Sequence, residues 1–209
     1  MFISKSKIDR FIRIVDAGLR SVVGTQQPTV LPIDEECKLT CAEAKKSAQL
    51  MRVNHTGEVC AQGLYEGQAL VARDKNVREH LMQAAAEERV HLDWCKTRLI
   101  ELGSSTSALT PFFFGASVGL GVVSGLLGDR ISLGFVEATE DEVCKHLDRH
   151  LNTLSGRDVR SHSILKKIRL DEERHQRTAL QDGGIEFPQV IKRKMAAMSR
   201  VMTKTTKHF

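Results

Sequence analysis

The chain has 209 residues, 41% of them apolar and 27% charged, with a formal net charge of +5. Such a composition supports a packed core and excludes a disordered chain, and the length suits one domain. Only 5% of residues are aromatic and only four are proline, which argues against an all-β sandwich. The charge is local. Past Glu186 there is no acid, whereas Lys192, Arg193, Lys194, Arg200, Lys204 and Lys207 carry the whole excess. The remainder is near neutral, so no basic face for nucleic acid is expected.

Five cysteines, Cys37, Cys41, Cys60, Cys95 and Cys144, form no CxxC pair. They read as reduced, buried thiols rather than as a disulfide framework or a zinc ribbon. Near the N-terminus, Lys5, Lys7, Asp9, Arg10, Arg13 and Asp16 interrupt the apolar residues. No signal or transit peptide is expected there, and the cytoplasm is the default compartment.

The first long helix starts at Thr40, where Thr40-Cys41-Ala42-Glu43 has capping-box form, and runs to about Arg73. Asp74-Lys75-Asn76 is the turn into a second helix ending at Leu102, with Gly103 as its C′ residue. Residues 103–111 read as a linker. A third helical region ends near Leu154, and a fourth spans about Asp158 to Gln181. Pro188 suits the first turn of a short basic helix over about 188–207. No stretch alternates with period 2, so the expected class is all-α, with a core over about 40–182. Between Leu102 and Gly128 there is no charge. The apolar part, Phe112 to Leu127, is too short to span a bilayer, which takes about 20 residues. Its glycines at 115/119 and 121/125 would permit close helix contact. It reads either as a buried hairpin or as a surface that dips into lipid.

Two Glu-x-x-His pairs stand out: Glu88 with His91, and Glu172 with His175. At i, i+3 on a helix, carboxylate and imidazole share a face and can hold one metal. Glu58 lies 30 residues before Glu88, and Glu140 lies 32 before Glu172. Each half is thus a Glu, a helical turn-back and a Glu-x-x-His. At 1.5 Å per residue, the two arms of each hairpin are matched in length, so the six side chains can meet at one height. That set matches the di-iron carboxylate pattern of ferritin-like bundles. Four carboxylates balance two divalent ions, and unpaired they would cost several kcal/mol each to bury. The oxygen and nitrogen ligand set suits iron or manganese rather than structural zinc. The expected fold is therefore a ferritin-like four-helix bundle of two helical hairpins, with an extra apolar segment and a basic C-terminal helix. A centre of two such metal ions per chain is therefore expected.

Glu88 and Glu172 occupy the central, bridging positions in this reading; Glu58 with His91, and Glu140 with His175, are terminal. Glu87 and Asp171 lie four residues before the same histidines, and read as surface acids rather than outer partners of the ligands. His146 and His150 read as surface residues. Tyr65, the only tyrosine, reads as a core residue, with a redox relay as the alternative.

The stretch Asn54-His55-Thr56-Gly57-Glu58, with Glu88-x-x-His91, Glu137-Ala138-Thr139-Glu140 and Glu172-x-x-His175, resembles the demethoxyubiquinone hydroxylases of ubiquinone biosynthesis. The resemblance covers roughly residues 45–182. It implies two irons on Glu58, Glu88, His91, Glu140, Glu172 and His175. It further implies insertion of one oxygen atom from O₂ into a polyprenyl methoxy-methyl-benzoquinol ring. The rival is a ferritin-like iron-storage or iron-oxidation protein with no organic substrate. Such a quinol stays in the bilayer, so a membrane surface is the expected partner, met at the cytoplasmic face. Phe112–Leu127 and a stripe of Ile191, Met195, Met198 and Met202 flanked by Lys192, Arg193, Lys194 and Arg200 are the docking candidates. The sequence is equally compatible with a homo-oligomer or a biosynthetic complex. No GxGxxG appears, so no nucleotide cofactor is expected within the chain.

Overall fold

A computed structural model describes residues 7–23 and 38–206. Cys37 and Lys207 lie outside them. The described residues form seven helices: α1 (Lys7–Val23), α2 (Cys41–Val71), α3 (Lys75–Glu101), α4 (Thr110–Leu126), α5 (Asp129–Leu151), α6 (Val159–Gln181) and α7 (Gln189–Thr206). The predicted cap at Thr40 is present in full. Its hydroxyl accepts from the Glu43 N–H while the Glu43 carboxylate accepts from the Thr40 N–H. Asp74 caps α3 through the N–H groups of Asn76 and Val77, and Asp158 caps α6 through that of Ser161.

The hairpins α2–α3 and α5–α6 pack into a bundle with two apolar halves. One holds Leu50, Met51, Trp94, Leu99, Leu147, Ile164, Leu165 and Ile168. The other holds Tyr65, Ala69, Val77, Leu81, Leu133, Val136 and Ala179. On every one of the four helices, the predicted metal-binding residues fall between these halves. At one end of the bundle the buried Arg98 guanidinium donates to Asp158 (2.8 Å) and Ser161 (2.9 Å), fastening the end of α3 to the start of α6.

Three further helices cover the α2/α5 side. α1 packs on α2 and α4, α4 on α2 and α5, and α7 on α2 and α5. The uncharged segment is no hairpin: it is the single helix α4, and Pro111 sits in its first turn rather than in the linker. Its contact with α2 is backbone to backbone. A Cβ on Gly67 would lie 2.2 Å from the Val118 carbonyl oxygen, and one on Gly121 2.2 Å from that of Leu64. Gly115 and Gly119 face open space, so only the 121/125 pair makes the close contact expected of both. Helix α1 was absent from the sequence reading. Ile14 and Ala17 bury its inner face against Val59 and Phe114.

Of the described cysteines, Cys95 and Cys144 are buried, whereas Cys41 is exposed and Cys60 half-buried; all four are free thiols. The expectation of uniformly buried thiols is corrected by Cys41, which sits at the first turn of α2, before the bundle closes.

Candidate metal centre

All six predicted residues are buried and meet in one cluster. Two groups of ligand atoms, each mutually within 4.8 Å, are formed by Glu58, Glu88, His91 and Glu172, and by Glu140, Glu172 and His175. Glu88 and Glu172 are central: each lies against both imidazoles. Glu88 is 3.2 Å from His91 Nδ1 and 3.3 Å from His175 Nδ1. Glu172 is 3.2 Å and 3.1 Å from the same atoms. Of the two imidazoles Glu58 contacts that of His91, at 3.5 Å, and Glu140 accepts from the Tyr65 hydroxyl.

The outer partners cross between hairpins. His91 Nε2 pairs with Asp171 at 3.2 Å, and His175 Nε2 pairs with Glu87 at 2.7 Å. Each acid therefore orients the imidazole of the opposite Glu-x-x-His, leaving Nδ1 directed at the cluster. The reading of Glu87 and Asp171 as surface acids is corrected. Side chains that point inward from the exposed edges of α3 and α6 meet once those helices are neighbours.

Burial and mutual repulsion with Glu88 and Glu172 push the carboxyls of Glu58 and Glu140 well above the usual range. Glu88 is held low, because hydrogen bonds from His175 and His91 outweigh its burial. His91 is raised despite burial by Asp171, Glu172, Glu58 and Glu88, and His175 is pushed up to about 12 by Glu172 and Glu88. The cluster thus retains protons that a cation would replace. Glu140 Oε2 is buried without a hydrogen-bond partner, and Glu88 Oε1 and Glu172 Oε1, buried likewise, meet only the imidazoles of His175 and His91 as ion pairs. Buried carboxyl oxygens with spare lone pairs around two imidazoles are a donor set that fits divalent metal.

Tyr65 is a core residue at this centre, 1% exposed, with its ring edge-on to His175 at 6.0 Å. His150 is not on the surface: it is buried and its Nδ1 lies 2.9 Å from Asn54 Oδ1, with His146 packed at 4.0 Å between ring centroids. His150 thus faces α2, which the position of Glu140 alone did not reveal. A cleft of about 270 Å³ opens between α3, α5 and α6, and ends at Tyr65, Glu87 and His175.

The sequence profile of the family described as Ubiquinone biosynthesis protein COQ7 matches residues 45–206, which span every residue of the cluster. The chain belongs to this family. Among relatives of the COQ7 family, proteins named 3-demethoxyubiquinol 3-hydroxylase from Ectopseudomonas mendocina and Stutzerimonas stutzeri are 48% and 49% identical over 205 residues. Each alignment covers 96% of this chain and 95% of the relative. Among solved structures, the bacterioferritin-related dodecameric thioferritin of Bacteroides fragilis superposes with a TM-score of 0.52 at 22% identity. It covers 67% of this chain and 84% of the other, and shows that the COQ7-family bundle has the ferritin-like fold.

Proposed function

We propose that this protein is a di-iron, O₂-dependent hydroxylase acting on the ring of a demethoxyubiquinol, a polyprenyl benzoquinol, at a membrane surface. The observation that carries the reading is the buried cluster of Glu58, Glu88, His91, Glu140, Glu172 and His175 in a chain of the COQ7 family. These residues would hold two iron ions, with Glu88 and Glu172 shared between them. Two bound ferrous ions would supply electrons and binding positions for O₂. The overall change converts a ring C–H into C–OH. The second oxygen atom leaves as water, with two electrons and two protons drawn from a reductant outside the chain.

The chain's own side chains prepare the centre. Asp171 and Glu87 fix the tautomer and direction of the two imidazoles. The Tyr65 hydroxyl holds its proton against Glu140. The apolar residues above and below the cluster exclude bulk water, which strengthens every charge interaction inside.

A lipid-borne substrate calls for docking, and the apolar exposure supports it. Phe112, Val123 and Leu126 of α4, Ile12, Val15 and Leu19 of α1, and Val190, Ile191, Met198 and Val201 of α7 are all exposed. No helix among the described residues is long and apolar enough to cross a membrane; the attachment proposed is peripheral, at the cytoplasmic face. Two details of the sequence reading change. Lys192 is not free for headgroups: it is mostly buried and pairs with Glu137 at 2.9 Å. The stripe is split, with Ile191 and Met198 exposed and Met195 and Met202 half-buried.

The test is anaerobic loading with ferrous iron, then O₂ and a reductant, with and without demethoxyubiquinol, with products read by mass spectrometry. One added oxygen atom per quinol, labelled from ¹⁸O₂, is expected. Iron oxidation that proceeds equally without quinol and yields no hydroxylated ring would favour the iron-oxidation protein instead.

A further inference from the structure

We infer that the two metal positions are unequal, and that the one formed by Glu140, Glu172 and His175 is the open position, exchanging its metal and taking small anions through the α3/α5/α6 cleft. This rests on the di-metal reading above and concerns which half of the centre meets solvent.

Four features point the same way. The ligand atoms of Glu58, Glu88, His91 and Glu172 all lie within 4.8 Å of one another, whereas around the second position only those of Glu140, Glu172 and His175 gather so closely, the shared Glu88 joining them through Oε1 at 3.3 Å from His175 Nδ1. The second position is therefore the more loosely gathered of the two. Of the six cluster residues His175 alone lines the cleft, beside Tyr65 and Glu87, whereas Glu58, Glu88, His91, Glu140 and Glu172 do not. The exposures of the paired histidines and acids follow. The side chains of His91 and its partner Asp171 are 2% and 12% exposed, against 7% and 29% for His175 and Glu87.

The fourth feature is a break in the two-fold repeat. Seven residues after Glu58 stands Tyr65, and seven after Glu140 stands Leu147. The Tyr65 hydroxyl crosses to Glu140, whereas the buried Leu147 offers only hydrocarbon. Glu140 alone among the terminal carboxylates is thus held by a phenol that lines the cleft. The mouth of the cleft carries His80 and Asp182, with Nδ1 and Oδ2 2.5 Å apart.

The experiment uses the full chain loaded anaerobically with two equivalents of cobalt(II), whose visible spectrum reports each ion. Excess EDTA should remove the metal in two phases of equal amplitude. Their rate constants should differ on the order of tenfold, the scale on which outer partners tune metal affinity. His175→Ala should delete the fast phase and leave the slow one. Thr178→Trp, which fills the cleft from its lining without touching a ligand, should slow the fast phase several-fold and leave the slow phase unchanged. Azide should perturb the spectrum only while the fast ion is bound.

Release of both ions with one rate constant overturns the inequality, as does a Thr178→Trp variant that slows both phases alike or neither. Azide perturbation that persists after the fast ion has gone overturns the assignment of the open position. A parent protein that binds fewer than two cobalt ions overturns the di-metal reading itself, and this inference with it.

Discussion

His55 lies three residues before Glu58 on α2, 1% exposed, and its Nδ1 has no hydrogen-bond partner. Burial holds its pKa down, from 6.5 to about 3, so the folded protein keeps this ring neutral. In the unfolded chain it takes a proton near its ordinary value of about 6.5. Between those values the unfolded state binds more protons than the folded one. Its share of stability is therefore complete above pH 6.5 and is lost as pH falls towards 3, by up to about 1.4 kcal/mol per pH unit. Urea unfolding of the parent and of His55→Leu at pH 7, 6 and 5, both with chelator present, should show a shallower decline in the variant. Parallel declines would remove His55 from the acid response. The residue scale also shows what spacing can and cannot reveal. The i, i+3 ligand pairs were legible because helix geometry alone puts them on one face. The cross-pairs Glu87–His175 and Asp171–His91 join residues 88 and 80 apart, and exist only once the hairpins are assembled.

At the scale of elements, the seam between α2 and α4 is set by glycine. With 2.2 Å between a hypothetical Cβ on Gly121 and the Leu64 carbonyl oxygen, Gly121→Ala must push the helices apart. Overpacking of this kind costs about 1–3 kcal/mol. Gly119 points to open space in the same helix, so Gly119→Ala should be neutral or stabilising by up to about 1 kcal/mol through helix propensity. Thermal unfolding of the two variants should separate in sign. A similar loss in both would mean that α4 does not sit in contact with α2 at this seam. Three of the four bundle helices, α2, α3 and α6, start at side chains with a specific bonding role, Thr40, Asp74 and Asp158, whereas α5 starts at Gly128 with no such cap and only its end was legible. Helix α1 was not legible. Its acids Asp9 and Asp16 read as interruptions of an apolar leader, but with Arg20 they lie on the exposed face of an amphipathic helix whose inner face is completed by α2 and α4. The uncharged α4 segment was ambiguous because glycine-rich apolar sequence fits both a helix seam and an exposed apolar surface, and α4 has a glycine seam on α2 and exposed apolar residues such as Phe112 and Val123.

Across the whole molecule, the covering helices give the two sides of the bundle different characters. α1, α4 and α7 lie on the α2/α5 side and carry Ile12, Leu19, Phe112, Val123, Leu126, Val190, Met198 and Val201 outward. The α3/α6 side carries the cleft and its polar rim of His80, Gln83, Arg174 and Asp182. On the proposed function, a lipid-borne substrate would meet the apolar side and water-borne reactants the cleft. Docking by such a surface combines apolar burial with attraction of Arg193, Lys194 and Arg200 to anionic headgroups, at about 1 kcal/mol per basic residue. Lys192 contributes to folding instead, since its ammonium is committed to the buried Glu137 and tethers α7 to α5. The two roles separate in a flotation assay on vesicles containing anionic lipid. Arg193→Glu with Lys194→Glu should reduce binding chiefly at low salt, where screening is weak. Phe112→Asp with Val123→Asp should reduce it at low and high salt alike, because the apolar contribution is not screened. Lys192→Met should instead lower thermal stability while leaving flotation of the folded fraction near the parent level. If the Phe112/Val123 variant floats like the parent at every salt concentration, α4 does not face the membrane, and the quinol must reach the centre from another side of the bundle.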